Sequence, residues 1–123
     1  MKILSNYSQE QIKELQDFAK LNDYANYAYF DLLEVDNYST RLGKVNETKN
    51  PEEAYQVTIA LINSLGMAIN DLNVASNAAM EAGRESLSKT YKKISQDCQN
   101  KWRIFYGKSW SDENEKDSGN MEM

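Results

Sequence analysis

Histidine is absent from this chain. That absence removes imidazole acid–base catalysis, the Ser-His-Asp and Cys-His nucleophile systems and every histidine-containing metal site. Cysteine occurs once, as Cys98, so no intramolecular disulfide can form, nothing calls for an oxidising compartment, and a cytoplasmic location is expected. No run of residues reaches the ~18 consecutive apolar positions of a membrane span, and residues 1–7 lack the apolar centre of a signal peptide. The nearest candidate span, 57–69, is interrupted by Thr58, Asn63, Ser64 and Gly66 and reads as a buried helix. There is no glycine-rich phosphate loop, no internal repeat and no sustained strand alternation.

What is present is a chain of 123 residues, 41% hydrophobic and 27% charged, long enough for one domain with a core that needs no staple. With one proline and five glycines, each breaker reads as punctuation. Ser8-Gln9-Glu10-Gln11 has the form of a capping box, and Ile12, Leu15, Phe18 and Ala19 follow on one helical face. Asn22-Asp23 predicts a restart, after which Ala28, Leu32, Val35 and Leu42 form a stripe. Tyr24, Tyr27, Tyr29 and Phe30 fall within seven residues and cannot all face one way, so at least one flank needs a second neighbour or stays exposed. Asn50-Pro51-Glu52-Glu53 is the clearest helix start in the chain: an N-cap, a proline at N1 and two carboxylates in the first turn.

From there Ala54, Thr58, Leu61, Leu65, Ala68, Leu72, Ala75, Ala79 and Ala82 alternate by four and three, a coiled-coil seam whose alanines permit close approach. Ile62 and Ile69 widen it, as a helix with more than one neighbour requires. At Gly83 the register slips to Leu87, Tyr91, Ile94, Cys98, Trp102 and Phe105. Either the chain turns there or one helix of about 57 residues runs about 85 Å. An expected radius of gyration of about 14 Å favours the turn. The expectation is an all-α, four-helix bundle with up-and-down connections, helices near 8–21, 23–47, 51–82 and 86–107. Gly107 serves as a C-terminal cap, and the domain of residues 1–110 is followed by a disordered acidic tail over 111–123.

Net charge is −5, unevenly spread. Residues 1–83 carry 6 basic and 12 acidic side chains, residues 84–110 carry 7 and 2, and residues 111–123 carry 1 and 5. Lys89, Lys92, Lys93 and Arg103 share one side of the last helix, with Gln96 and Asn100 between them. Such a basic amphipathic helix suits an acidic protein groove, a phosphate backbone or headgroups. The acidic total and the lack of a nucleic-acid-reading motif place a protein partner ahead of nucleic acid. Trp102-Arg103-Ile104-Phe105-Tyr106 and Trp110 gather both tryptophans in the final turns, and Trp, Tyr and Arg are the types enriched at binding hot spots. The same residues also suit a plain end to the bundle, with Trp102 and Phe105 finishing the core and Tyr106 and Trp110 capping it; on the binding reading Trp110, beyond the glycine, is the exposed anchor.

Catalytic readings are weaker. Glu10, Glu14 and Asp17, then Asp31 and Glu34, then Glu81 and Glu85 have the three- and four-residue spacing with which all-α nucleoside triphosphate pyrophosphohydrolases hold magnesium, yet no dense acidic cluster appears. Cys98 sits mid-helix on the apolar stripe and is expected to be inert, with Lys92, Lys93 and Lys101 on the opposite face. No metal and no cofactor is expected. Taken together the residues point to a non-catalytic interaction protein that regulates or inhibits a larger partner through Lys89, Lys92, Lys93, Trp102, Arg103, Phe105, Tyr106 and Trp110. Small size and acidic charge also suit a phage or mobile-element inhibitor. Self-assembly as a homodimer through the 54–82 seam is the competing class.

Overall fold

A computed structural model describes the backbone of residues 2–121 and the side chains of residues 2–107. A 3-10 turn, Leu4–Asn6, precedes four helices: α1 Gln9–Ala19, α2 Asp23–Thr48, α3 Pro51–Glu81 and α4 Glu85–Met121. The fold is all-α, and each of the first three helix starts uses the cap its sequence predicts. Ser8 Oγ accepts from the Gln11 N–H at 3.1 Å while Gln11 Oε1 accepts from the Ser8 N–H at 2.9 Å. Asn22 Oδ1 accepts from the Ala25 N–H, and Asn50 Oδ1 from the Glu53 N–H ahead of Pro51.

Gly83 ends the ambiguity between a rod and a hairpin. Its φ of +76° lies in the left-handed region. The Gly83 N–H donates to Met80 O at 3.0 Å and the Arg84 N–H to Ala79 O at 2.8 Å, the paired bonds of a Schellman motif. Helices α3 and α4 are therefore separate and antiparallel. The opposite end turns at Lys49, a non-glycine residue at φ 56° that stops α2 two residues before Pro51. Gly107, read from sequence as a helix cap, instead lies within α4. The tail expected over 111–123 and the anchor Trp110 lie outside the residues whose side chains are described.

Helix α3 is the central element and packs along both α2 and α4. Its seam is buried over its centre, where Leu61, Leu65, Ala68, Leu72, Ala75 and Ala79 have no exposed surface, while Ala54 and Thr58 are half-buried and Ala82 is exposed. Alanine at three of the buried positions lets the neighbours approach, and the leucines each contribute about 2 kcal/mol by leaving water. A homodimer that preserves this fold must use another face, because the seam is already enclosed within one chain. Ser76 and Ser88, both buried, join α3 to α4 through a 2.9 Å hydroxyl pair and a 3.1 Å bond from Ser76 Oγ to Ser88 O.

The bundle is less regular than four equal helices. Short α1 packs against α2 and α4 and, with the 3-10 turn, fills the groove between them. Leu15 and Phe18 enter the core, and the Phe18 ring lies 6.2 Å from that of Tyr91. The buried carboxylate of Asp36 holds the 3-10 turn down, accepting from the Ile3 N–H at 2.7 Å and the Leu4 N–H at 3.3 Å. Tyr7 OH donates to Asp97 on α4, and Lys93 Nζ lies 5.5 Å from the Tyr7 ring centroid.

Gly83→Ala is expected to cost about 1 kcal/mol in urea unfolding, because a Cβ there meets open space and only the positive φ is penalised. Asp36→Ala is expected to cost about 2 kcal/mol by the same measurement, since it strands two backbone donors under the N-terminal turn.

Candidate functional site

The outward face of α4 carries the basic residues singled out by sequence, all exposed: Lys89, Lys92, Lys93 and Arg103. Helical periodicity places them opposite the buried row Leu87, Tyr91, Ile94 and Cys98. Lys89 lies 3.6 Å from Glu85 at the helix start, a solvent-exposed pair of little energetic weight. Lys93 leans toward the N-terminal segment through Tyr7. Gln96 and Asn100, hydrogen-bonded to each other at 3.0 Å, continue the strip without adding charge. Asp97 does not interrupt it, being drawn toward Tyr7.

At the far end of the strip the aromatic residues divide. Trp102 and Phe105 are half-buried and pack against the core. Tyr106 stacks on Trp102 with ring centroids 4.6 Å apart and planes 7° from parallel, and remains 45% exposed. Ile104 is 66% exposed beside Arg103. The core-finishing and surface roles weighed from sequence are thus held by different residues: Trp102 and Phe105 form a base, while Arg103, Ile104 and Tyr106 project from it.

Lys101 corrects an expectation. It does not share the outer face but turns inward, donating to Ser39 Oγ on α2 at 2.8 Å and lying 6.0 Å from the Phe105 ring. Burial pushes its pKa down, with Asp36 acting in the opposite sense. Cys98 is fully buried, and burial pushes its thiol up to about 12, with Asp97 adding to the rise and Lys101 opposing it. Such a thiol stays protonated and unreactive at neutral pH.

The acidic pairs do not converge. Glu10, Glu14 and Asp17 stand exposed on α1, and Glu81 and Glu85 are parted by the turn at Gly83. Among the described residues no group of three or more Asp, Glu or Cys side chains is arranged to hold a metal ion. Asp31 is 7% exposed and lies near enough to Asp71 of α3 for their charges to interact, and its Oδ2 has no hydrogen-bond partner. Burial first, then Asp71 and the Glu34 charge, raise the Asp31 pKa from 3.8 to about 7.

The aromatic flank of α2, which the sequence left between a second neighbour and exposure, is exposed. Tyr24, Tyr27, Phe30 and Leu33 on α2 are all exposed, Phe30 at 58% and Tyr27 at 53%, and the Tyr24 and Tyr27 rings meet edge to face at 6.1 Å. Their three-residue spacing was the available signal. It traces a ridge that winds away from the core stripe, while Tyr29 turns inward to accept a hydrogen bond from Gln16. No family model, no curated protein and no solved structure matches the chain.

For Asp31 the folded-state pKa exceeds the unfolded value, so the folded chain holds the extra proton and stability falls as pH rises from about 4 to about 7. Asp31→Asn supplies an amide donor to Asp71 without a proton. The variant is expected to unfold at higher urea than the parent at pH 7.5 and to flatten that pH dependence.

Proposed function

We propose that the protein is a non-catalytic binding protein that regulates or inhibits a larger macromolecule through the outward face of α4. One observation carries this reading. In a chain of net charge −5, the exposed strip Lys89, Lys92, Lys93, Gln96, Asn100 and Arg103 is positive or neutral throughout and ends on the exposed Ile104 and Tyr106. The strip attracts an acidic partner over several ångströms, and the aromatic end supplies the short-range contact. A protein partner fits better than nucleic acid, because the remainder of the chain is net acidic and repels a polyanion. Trp102 and Phe105 act beneath this surface, stiffening it by packing on the core, and Tyr106 is the anchor the stack holds in place.

The test is capture of partners from the native cell by tagged full-length protein, beside a Lys92→Glu/Arg103→Glu variant and a Tyr106→Ala variant. Charge reversal is expected to slow association about 10-fold at low salt and to weaken its salt dependence, while Tyr106→Ala is expected to speed dissociation. Equal capture by all three proteins, unaffected by salt, rules out this face.

A further inference from the structure

The outward face of α3 is almost free of charge. Between Ala54 and Met80 the chain has a single charged residue, Asp71, and that one is half-buried toward Asp31 of α2. Directly opposite the buried seam stand Gln56, Asn63, Asn70 and Asn77, all exposed and spaced by seven residues. Rows flank them on both sides, with Met67 exposed at 56% on the α2 side and Gly66 on the α4 side. The row spans 21 residues, or about 32 Å of helix.

We propose that this chain forms a parallel two-fold dimer with a second copy of itself through the outward face of α3. A primary amide is both donor and acceptor, so a row of amides is complementary to its own copy where a row of lysines or glutamates repels it. Seven-residue spacing keeps such a row facing its partner along the whole contact, and asparagine at one heptad position favours a paired register. The absence of a side chain at Gly66 lets the two helices approach midway along the contact.

Charge sets the direction. A two-fold axis parallel to α3 brings α2 of one copy beside α4 of the other, whereas a perpendicular axis brings α4 beside α4. Helix α2 carries five acidic and two basic residues, and α4 as far as Gly107 carries five basic and two acidic ones. The parallel arrangement is the attractive one. Glu34 reaches the α3 edge of α2, 3.5 Å from Ser64, and the α3–α4 bonds Ser76–Ser88 and Asn73–Ser95 set Arg103 at about the height of Ser64. Glu34 of one copy therefore lies level with Arg103 of the second. A lipid surface is the poorer occupant despite the apolar composition of α3. Lipid at that face would leave four amides without partners.

Purified full-length protein suffices for the test, which keeps it separate from partner capture. Light scattering from micromolar to near-millimolar protein is expected to show the mass of two chains at the upper end. Asn70→Lys is expected to weaken dimerisation at least 100-fold, about two decades in concentration, with unchanged helical circular dichroism. Asn70→Cys is expected to link to its own copy under mild oxidation, since a parallel axis places position 70 against itself. A single-chain mass at every concentration, a dimer that survives Asn70→Lys, or capture by neutral phosphatidylcholine vesicles in place of dimerisation overturns the proposal. A dimer in which Asn70→Cys fails to link overturns its parallel sense.

Discussion

The burial of one face of α3 between two long neighbours is the constraint on which the rest of the molecule depends. Leu61, Leu65 and Leu72 supply the apolar area, and Ala68, Ala75 and Ala79 let α2 and α4 come close enough to share it. Two helices drawn to one side of a third leave a groove between themselves. The N-terminal segment closes that groove with Ile3, Leu4, Tyr7, Leu15 and Phe18, held by the Asp36 and Asp97 carboxylates. The shortest helix is therefore the plug, and the polar contacts that seat it come from α2 and α4.

Polar groups inside the bundle are arranged between helices and have few alternatives. Ser76 pairs with Ser88, Ser95 with Asn73, and Lys101 with Ser39. Asp31, near Asp71 across α2 and α3, keeps its proton to higher pH than an exposed carboxyl does. These contacts fix the height of each helix against the next, which greasy contact alone leaves loosely specified. Among the described residues Asp31 Oδ2 and Tyr91 OH are buried with no hydrogen-bond partner, and burial pushes the Tyr91 pKa up.

The surface divides by helix. Acidic residues gather on α2, basic residues on α4, and the back of α3 has amides and methionine in place of charge. A positive strip with an aromatic end suits an acidic partner; a neutral face of heptad-spaced amides suits another copy of itself. The two faces meet at Arg103, which lies on the positive strip and level with Glu34 of the second copy.

Much of this was legible in the residues. Ser8, Asn22 and Asn50 marked three helix starts because a side-chain oxygen at an N-cap acts locally, within three residues. The four-three alternation of the 54–82 seam and the stripe through Leu87, Tyr91, Ile94 and Cys98 named most of the core, since period alone decides which side of a helix is apolar. Two pieces of the arrangement were not local. The inward turn of Lys101 and the separation of Trp102 and Phe105 from Tyr106 depend on what lies across the contact. Sequence determined the elements and their faces, because capping and helical period are short-range; only the tertiary structure decided which face of α3 was left over, because that depends on where two other helices come to rest.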